Sequence, residues 1–326
     1  MTTSHRSKKK LNKSSSKGLH PRNIHRDGYD FLALVKCYSA LRPYVKTNEH
    51  GKLSIDFAEP FAVKALNAAL LKHHYNIRDW DIPEAALCPP IPGRVDYIHY
   101  IAELLNIGEP RVKLVNEPSK IKLLDIGTGA NGIYSLLAAQ LYGWQSVASD
   151  INSLSLENVS SIIANNPQLK GRITLRRQRD KNHIFDGIIQ EGEFFDVSVC
   201  NPPFHDSLEE ALKGSQRKVD NLARNRGEQL STKHTKSKPS LNFGGIGAEL
   251  WCKGGEHLFL KKMFKESKTF STQCRWFTSL VSKFENVKPA IKLLGKLGAT
   301  EVREIEMVQG NKVTRIVAWT FSNQVS

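Results

Sequence analysis

Two short segments hold residue types that contribute little to packing and much to chemistry: Leu123-Leu124-Asp125-Ile126-Gly127-Thr128-Gly129-Ala130-Asn131-Gly132 and Cys200-Asn201-Pro202-Pro203-Phe204. In the first, an apolar run gives way to glycines, the pattern of a strand ending in a tight turn that opens a helix. Glycines there let a ligand approach the backbone. Gly127-x-Gly129-x-x-Gly132 also satisfies the dinucleotide fingerprint. Asp125 argues otherwise, because a carboxylate two residues before the first glycine repels a pyrophosphate. It suits a cationic cofactor that carries an amino acid, such as S-adenosylmethionine (SAM). Asp150 lies at the end of the next expected strand, 18 residues after Gly132. An acid there accepts hydrogen bonds from both ribose hydroxyls, which serves a nicotinamide cofactor as well as SAM, so Asp150 does not separate the two.

The second segment fits the same pocket. An exocyclic amino nitrogen on a nucleobase is a poor nucleophile, since its lone pair is delocalised into the ring. The side-chain oxygen of Asn201 and the carbonyl of Pro202 can both accept from that NH2, favouring a pyramidal nitrogen whose lone pair faces a methyl donor. Pro202 and Pro203 bring no competing N–H. Phe204 offers a face on which an extruded base can stack. Asn is no general base; with a sulfonium leaving group, positioning carries most of the catalysis.

These segments need elements to hold them. From about Ile121 the chain alternates strands and helices. The expected strands are Lys122–Ile126, Ser146–Ser149, Ile173–Arg177, Asp196–Cys200, Arg275–Leu280, Glu301–Met307 and Arg315–Phe321, the last two joined at Gln309-Gly310-Asn311 as an antiparallel hairpin. Expected helices are Gly132–Leu141, Ser153–Asn165, Glu256–Ser267 and Lys288–Leu297. The fold class is α/β, Rossmann-like, with a doubly wound seven-stranded sheet and a C-terminal antiparallel hairpin. Asn201 stands 76 residues after Asp125, room for three β-α units, so it ends the fourth strand, beside the first, across the switch-point crevice. Upstream, residues 27–106 are mainly helical. One helix covers Ala62–Leu71 and another Val95–Leu105, while Cys88-Pro89-Pro90-Ile91-Pro92 is excluded from helix interior.

The chain has 326 residues, with 47 Lys+Arg against 32 Asp+Glu, a net +15. That excess points to a polyanion, nucleic acid before membrane, since no apolar run reaches the length of a membrane span. Residues 1–26 hold eight Lys/Arg and no acid, and residues 213–240 hold eight Lys/Arg against two acids. These are read as a mobile arm and a long exposed loop, both able to meet phosphates. Candidate RNA contacts are Arg22, Lys213, Arg217, Lys218 and Arg224. Five irregularly spaced cysteines suggest neither a disulfide framework nor a zinc site, and a reducing cytoplasm fits them. His73, His74 and His99 lack partners at metal spacing and are taken as structural, and Trp251 and Trp276 as packing residues. No metal is expected.

The pairing of Asp125-Ile126-Gly127-Thr128-Gly129 with Asn201-Pro202-Pro203-Phe204 resembles the class I SAM-dependent methyltransferases that act on amino nitrogens. Further blocks sharpen it: His20-Pro21-Arg22-Asn23, Trp80-Asp81-Ile82-Pro83, Pro92-Gly93-Arg94-Val95-Asp96-Tyr97-Ile98-His99, His205-Asp206-Ser207 and Leu241-Asn242-Phe243-Gly244-Gly245. Over about residues 18–322 the chain resembles the 23S ribosomal RNA adenine N6-methyltransferases, specific for adenine 1618. The resemblance implies that Gly127 and Asn131 contact the cofactor's amino-acid end and Asp150 the ribose. It implies that Arg94 reaches the methionine carboxylate, Asp180 lies near the adenine ring, and Asn201 binds the target amino group. Three parts are expected: a basic arm (1–18), a helical region supporting RNA and cofactor (19–118), and the methyltransferase domain (119–326). The partner would be 23S rRNA or a large-subunit assembly intermediate; oligomeric state is not indicated. Alternatives are guanine-N2 methylation of rRNA, glutamine methylation of a protein, a catalytically silent RNA-binding module and a nicotinamide oxidoreductase.

Overall fold

A computed structural model describes residues 18–84, 86–110, 119–203, 205, 207, 209, 252–309 and 312–323. Its centre is a seven-stranded sheet in the order β5-β4-β3-β6-β7-β9-β8. The strands are β3 (Lys122–Ile126), β4 (Gln145–Asp150), β5 (Ile173–Arg177), β6 (Phe195–Cys200), β7 (Cys274–Val281), β8 (Glu301–Gln309) and β9 (Lys312–Thr320). β3 to β7 are parallel, whereas β9 runs antiparallel to both β7 and β8. The chain builds outward from β3 through β4 to β5, then returns to lay β6 against the other side of β3. This reversal opens a crevice at the carboxyl ends of β3 and β6. A small ribbon of β1 (Lys46–Thr47) and β2 (Leu53–Ser54) lies apart.

Side chains alternate between the two faces, as strand pleating requires. Leu123, Val197, Val199, Trp276 and Leu280 join one core, and Leu124, Cys200, Phe277 and Val281 the other. The first core is roofed by α1 (Phe31–Cys37), α2 (Pro60–Tyr75), α3 (Ile91–Leu104), α4 (Ile133–Tyr142) and α5 (Ser153–Ala164), and the second by α6 (Gly255–Thr269) and α7 (Val287–Leu297). Every residue of α4 is buried, which fits its sequence Ile-Tyr-Ser-Leu-Leu-Ala-Ala-Gln-Leu-Tyr, apolar on all sides. The helices upstream of the sheet therefore share a core with it.

The expected elements match to within a few residues, with one instructive exception. α3 starts at Ile91, not Val95, and takes Pro92 into its first turn. A proline there removes an N–H that has no intrahelical partner anyway. The early start brings Gly93 and Arg94 into the helix.

The upstream segment is fastened by buried polar groups. Asp96 Oδ1 accepts from His20 N at 3.0 Å and from the Asn23 side chain, while Asn23 Nδ2 also donates to Pro92 O at 2.9 Å. The Tyr75 hydroxyl bonds His25 Nε2 at 2.8 Å and His99 Nδ1 bonds the Tyr142 hydroxyl at 2.8 Å. Burial, with His74 and His20 respectively as further causes, pushes His25 down to about 4 and His99 to about 3. Burial, then His73, lowers half-buried His74 to about 4. These imidazoles stay neutral in the folded chain but protonate below 6.5 once it unfolds, so stability falls as pH drops from 6.5 toward 4. Asp96 and Asp125, raised to about 6 mainly by burial, act in the opposite sense but number two against three. Thermal melts from pH 7.5 to 4.5 should show a falling Tm, with the fall shallower for His99→Gln; a flat profile would contradict this account.

Candidate active site

The turn after β3 is shaped by three glycines in the left-handed region: Gly127 (φ 70°), Gly129 (φ 63°) and Gly132 (φ 61°). At Gly132 a Cβ would lie 3.0 Å from Val159 Cγ1, so the turn also needs the smallest residue for α5 to pack. At Gly127 a Cβ would meet nothing within 4 Å, leaving open space over the turn.

Asp125 lies beneath this turn and is fully buried. Its Oδ2 accepts from Thr128 Oγ1 at 2.8 Å and Ser135 Oγ at 3.0 Å, tying the turn to the first helical turn of α4. Its Oδ1 has no partner. Burial raises the carboxyl from 3.8 to about 6, against the lowering effect of Thr128 and Ser135. Asp150, at the end of β4, is also buried; its Oδ2 accepts from Gly129 N at 2.9 Å and its Oδ1 from Asn152 N at 2.8 Å. Asp150 thus braces the glycine turn from the neighbouring strand.

The register brings the two sequence segments together. Ile126 pairs with Cys200, so Gly127 and Asn201 leave adjacent strands side by side, about 5 Å apart. Asn201 Oδ1 is buried with no hydrogen-bond partner. An orphaned buried acceptor is expensive, and here it sits at the mouth of the crevice. Pro202, the next residue, is also buried.

Arg94 enters from α3. Its guanidinium donates to the Tyr134 hydroxyl and its carbon lies 5.4 Å from the Tyr134 ring centre, while its buried Nε has no partner. Tyr134 is the second residue of α4, so Arg94 is held beside the glycine turn. Asn131 Oδ1 accepts from Ile133 N at the start of α4 at 3.1 Å, and its Nδ2 donates to Leu87 O at 3.3 Å. Asp180 lies three residues beyond β5, exposed, in a turn where its Oδ1 accepts from Asn182 N at 2.8 Å. It shares the carboxyl edge with Asp150 but lies a strand further from β3.

Arg22, a candidate RNA contact, is already engaged within the fold. Its side chain is 18% exposed, donates to Ile107 O at 3.2 Å and pairs with Glu109 at 3.3 Å. It is a tie at the C-terminal end of α3, the end opposite Arg94. Phe204, Lys213, Arg217, Lys218 and Arg224 lie outside the described residues, as do the arm before Gly18, Asp206, Leu241–Gly245 and Trp251.

Four supporting residues have roles that no sequence motif announces. Trp80 Nε1 donates to Asn131 O at 3.1 Å, laying the Trp80-Asp81-Ile82-Pro83 block on the turn, and Asn158 Nδ2 joins Ala130 O (2.7 Å) to Asp81 O (2.9 Å). The Tyr97 hydroxyl donates to Thr278 Oγ1 (2.8 Å) and accepts from Cys200 N (3.4 Å), fixing the residue before Asn201. The Tyr134 hydroxyl receives Arg94. Only the i, i+3 placement of Arg94 and Tyr97 on one helix face hinted at this pairing.

A glycine turn over a buried carboxylate on the first strand, an unpaired Asn acceptor on the fourth, and a C-terminal antiparallel hairpin define a class I methyltransferase. Among the described residues no group of three or more His, Cys, Asp or Glu is placed to hold a metal. The comparisons narrow the class. A family described as RNA methyltransferase matches residues 13–323, and the chain belongs to that family. It is 61% identical over 321 residues to the ribosomal RNA large subunit methyltransferase F of Saccharophagus degradans, covering 97% of this chain and 99% of that one. It is 58% identical over 306 residues to the protein so named in Shewanella denitrificans, covering 94% and 84%. Among solved structures it is similar to the hMettl16 catalytic domain in complex with MAT2A 3'UTR hairpin 6, at TM-score 0.75 and 27% identity over 95% of this chain and 99% of that one.

Proposed function

We propose that this protein transfers a methyl group from SAM to the N6 amino group of one adenine, position 1618 of 23S rRNA, in the cytoplasm. The observation that carries the reading is the buried, unpartnered Oδ1 of Asn201 beside the open space over Gly127. The names of the relatives supply the ribosomal target. SAM, when bound, supplies an electrophilic methyl on a sulfonium. The residues present suit it: Asp125 for the amino-acid end, Asp150 for the ribose, Arg94 for the carboxylate, with Gly127 and Asn131 lining the approach and Asp180 near the adenine.

The work of the chain is positional. Asn201 Oδ1 and the Pro202 carbonyl accept from the amino group and hold its lone pair out of the ring plane. Tyr97 anchors this loop through Cys200 N. Such preorganised acceptors act without reorganising as the reaction proceeds.

Adenine is favoured over guanine by the resemblance of the chain's motif blocks to the 23S rRNA adenine N6-methyltransferases; the acceptor geometry suits either amine. Purified protein incubated with SAM and unmodified 23S rRNA should yield N6-methyladenosine on nucleoside mass spectrometry, mapped to one site. Methylguanosine instead would keep the pocket and overturn the base assignment. Product on an assembly intermediate but not on naked RNA would identify the substrate stage.

A further inference from the structure

The helices α6 and α7, on the sheet face away from α3 and α4, carry a second basic surface. Lys261, Lys265 and Lys268 on α6 and Lys288, Lys292 and Lys296 on α7 are all exposed. None of the six is ion-paired with a described residue. Of the three carboxylates on these helices and the turn that leads into α7, exposed Glu285 pairs with none of the six lysines and the other two are turned inward. Glu256 accepts from Ser282 N (2.6 Å), Lys283 N (3.1 Å) and Asn286 Nδ2 (2.7 Å), while Glu266 accepts from the backbone N–H groups of Ile184, Phe185 and Asp186.

Spacing puts these lysines in rows, at i, i+4, i+7 on α6 and i, i+4, i+8 on α7, each row on one helix face. Like charges at that spacing destabilise a helix, so the arrangement works against the elements that carry it. Between the rows runs a cleft of about 330 Å³ with Leu260, Phe264, Ala290 and Leu293 in its lining and Lys261, Lys292 and Lys296 along it. One end begins at His257 and Asn286. There α6 starts just past Cys252, whose N–H donates to His205 O at 3.1 Å, four residues after Asn201. The cleft therefore leads away from the catalytic loop. At 1.5 Å per residue each row extends roughly 10–12 Å, about three phosphates of a strand at ~3.4 Å each.

We propose that the α6–α7 cleft is a second RNA footprint. It holds the phosphodiester backbone of a segment flanking the target nucleotide, phosphates on the lysine rows and sugar faces on the apolar lining. This deepens the RNA-methylation reading and rests on it. The test is the triple charge reversal Lys261→Glu/Lys292→Glu/Lys296→Glu. Its control is Lys120→Glu/Lys122→Glu/Lys170→Glu, equal in charge and exposed at the amino edge of the sheet. Binding to 23S rRNA without methyl transfer is followed between about 50 and 200 mM salt, where each phosphate contact contributes about 0.7 (single strand) to 0.9 (duplex) to the log–log slope. The cleft variant should lose about two to three from that slope and bind at least tenfold more weakly than the control. A short stem-loop holding only the target adenine should be methylated as by the unmodified protein, with SAM affinity unchanged. Binding equal to the control's would overturn the footprint, and equal losses on both RNAs would overturn its flanking position. If the unmodified protein methylates no RNA, the function fails while the binding comparison still judges the cleft.

Discussion

Replacing Asn201 with Ala should lower turnover on the target RNA by about 100- to 1,000-fold, the usual effect of removing one preorganised polar group from a reacting centre. SAM affinity should change little. The expectation follows from an oddity of the structure: the side-chain oxygen of Asn201 is buried and bonded to nothing. A fold that needed Asn201 only as a strand terminator would leave such an oxygen paired or in water. In Asn201→Ala the Pro202 carbonyl still accepts, so part of the lone-pair alignment survives and activity is reduced rather than abolished. Asn201→Asp keeps two acceptors but adds a charge, and should fall between Ala and the unmodified protein. Single-turnover rates with bound RNA separate this loss from weaker binding. A rate within fivefold of the original would remove Asn201 from the reaction.

The pairing of Asp125 with Asn201 is legible in the sequence, because β-α unit length and the switch-point rule alone set strand four beside strand one. The register Ile126 to Cys200 places them as that argument requires. What could not be read was the scaffolding beneath. Trp80, Tyr97 and Tyr134 reach the site through contacts 40 to 181 residues apart in sequence, and no local period encodes such meetings. The sequence sets the start of α3 too late because proline is excluded from a helix interior, whereas at the first turn Pro92 costs no hydrogen bond. Composition groups Arg22 with its basic neighbours, whereas packing engages it with Ile107 O and Glu109. Charge composition says that cations are present; only packing says which remain for a partner.

Asp125→Asn should make the ligand-free protein more stable and the enzyme worse. The carboxyl is fully buried, one oxygen is unpartnered, and burial raises it from 3.8 to about 6. The folded state thus binds this proton more tightly than the unfolded one. The penalty is absent below 3.8, grows as pH rises toward 6, and is complete above it. A shift of about two units corresponds to roughly 3 kcal/mol at neutral pH as an upper bound. Asn keeps an acceptor for Thr128 and Ser135 and removes the charge, but leaves an amide N–H unpaired, which returns about 1–2 kcal/mol. The net gain should be about 1–2 kcal/mol, seen as a Tm higher by about 2 °C or more at pH 7.5. SAM affinity should fall at least tenfold, since the buried negative charge that a cationic ligand offsets is gone. The pH dependence gives an independent signature. Affinity of the unmodified protein should be level above pH 6 and fall about tenfold per unit below it, while Asp125→Asn should show no such break. A variant with lower Tm and undiminished affinity would mean that Asp125 only braces the turn through Thr128 and Ser135. The opposite pair of results would mean that this carboxylate is kept, at a cost to the fold, for the charge of its cofactor.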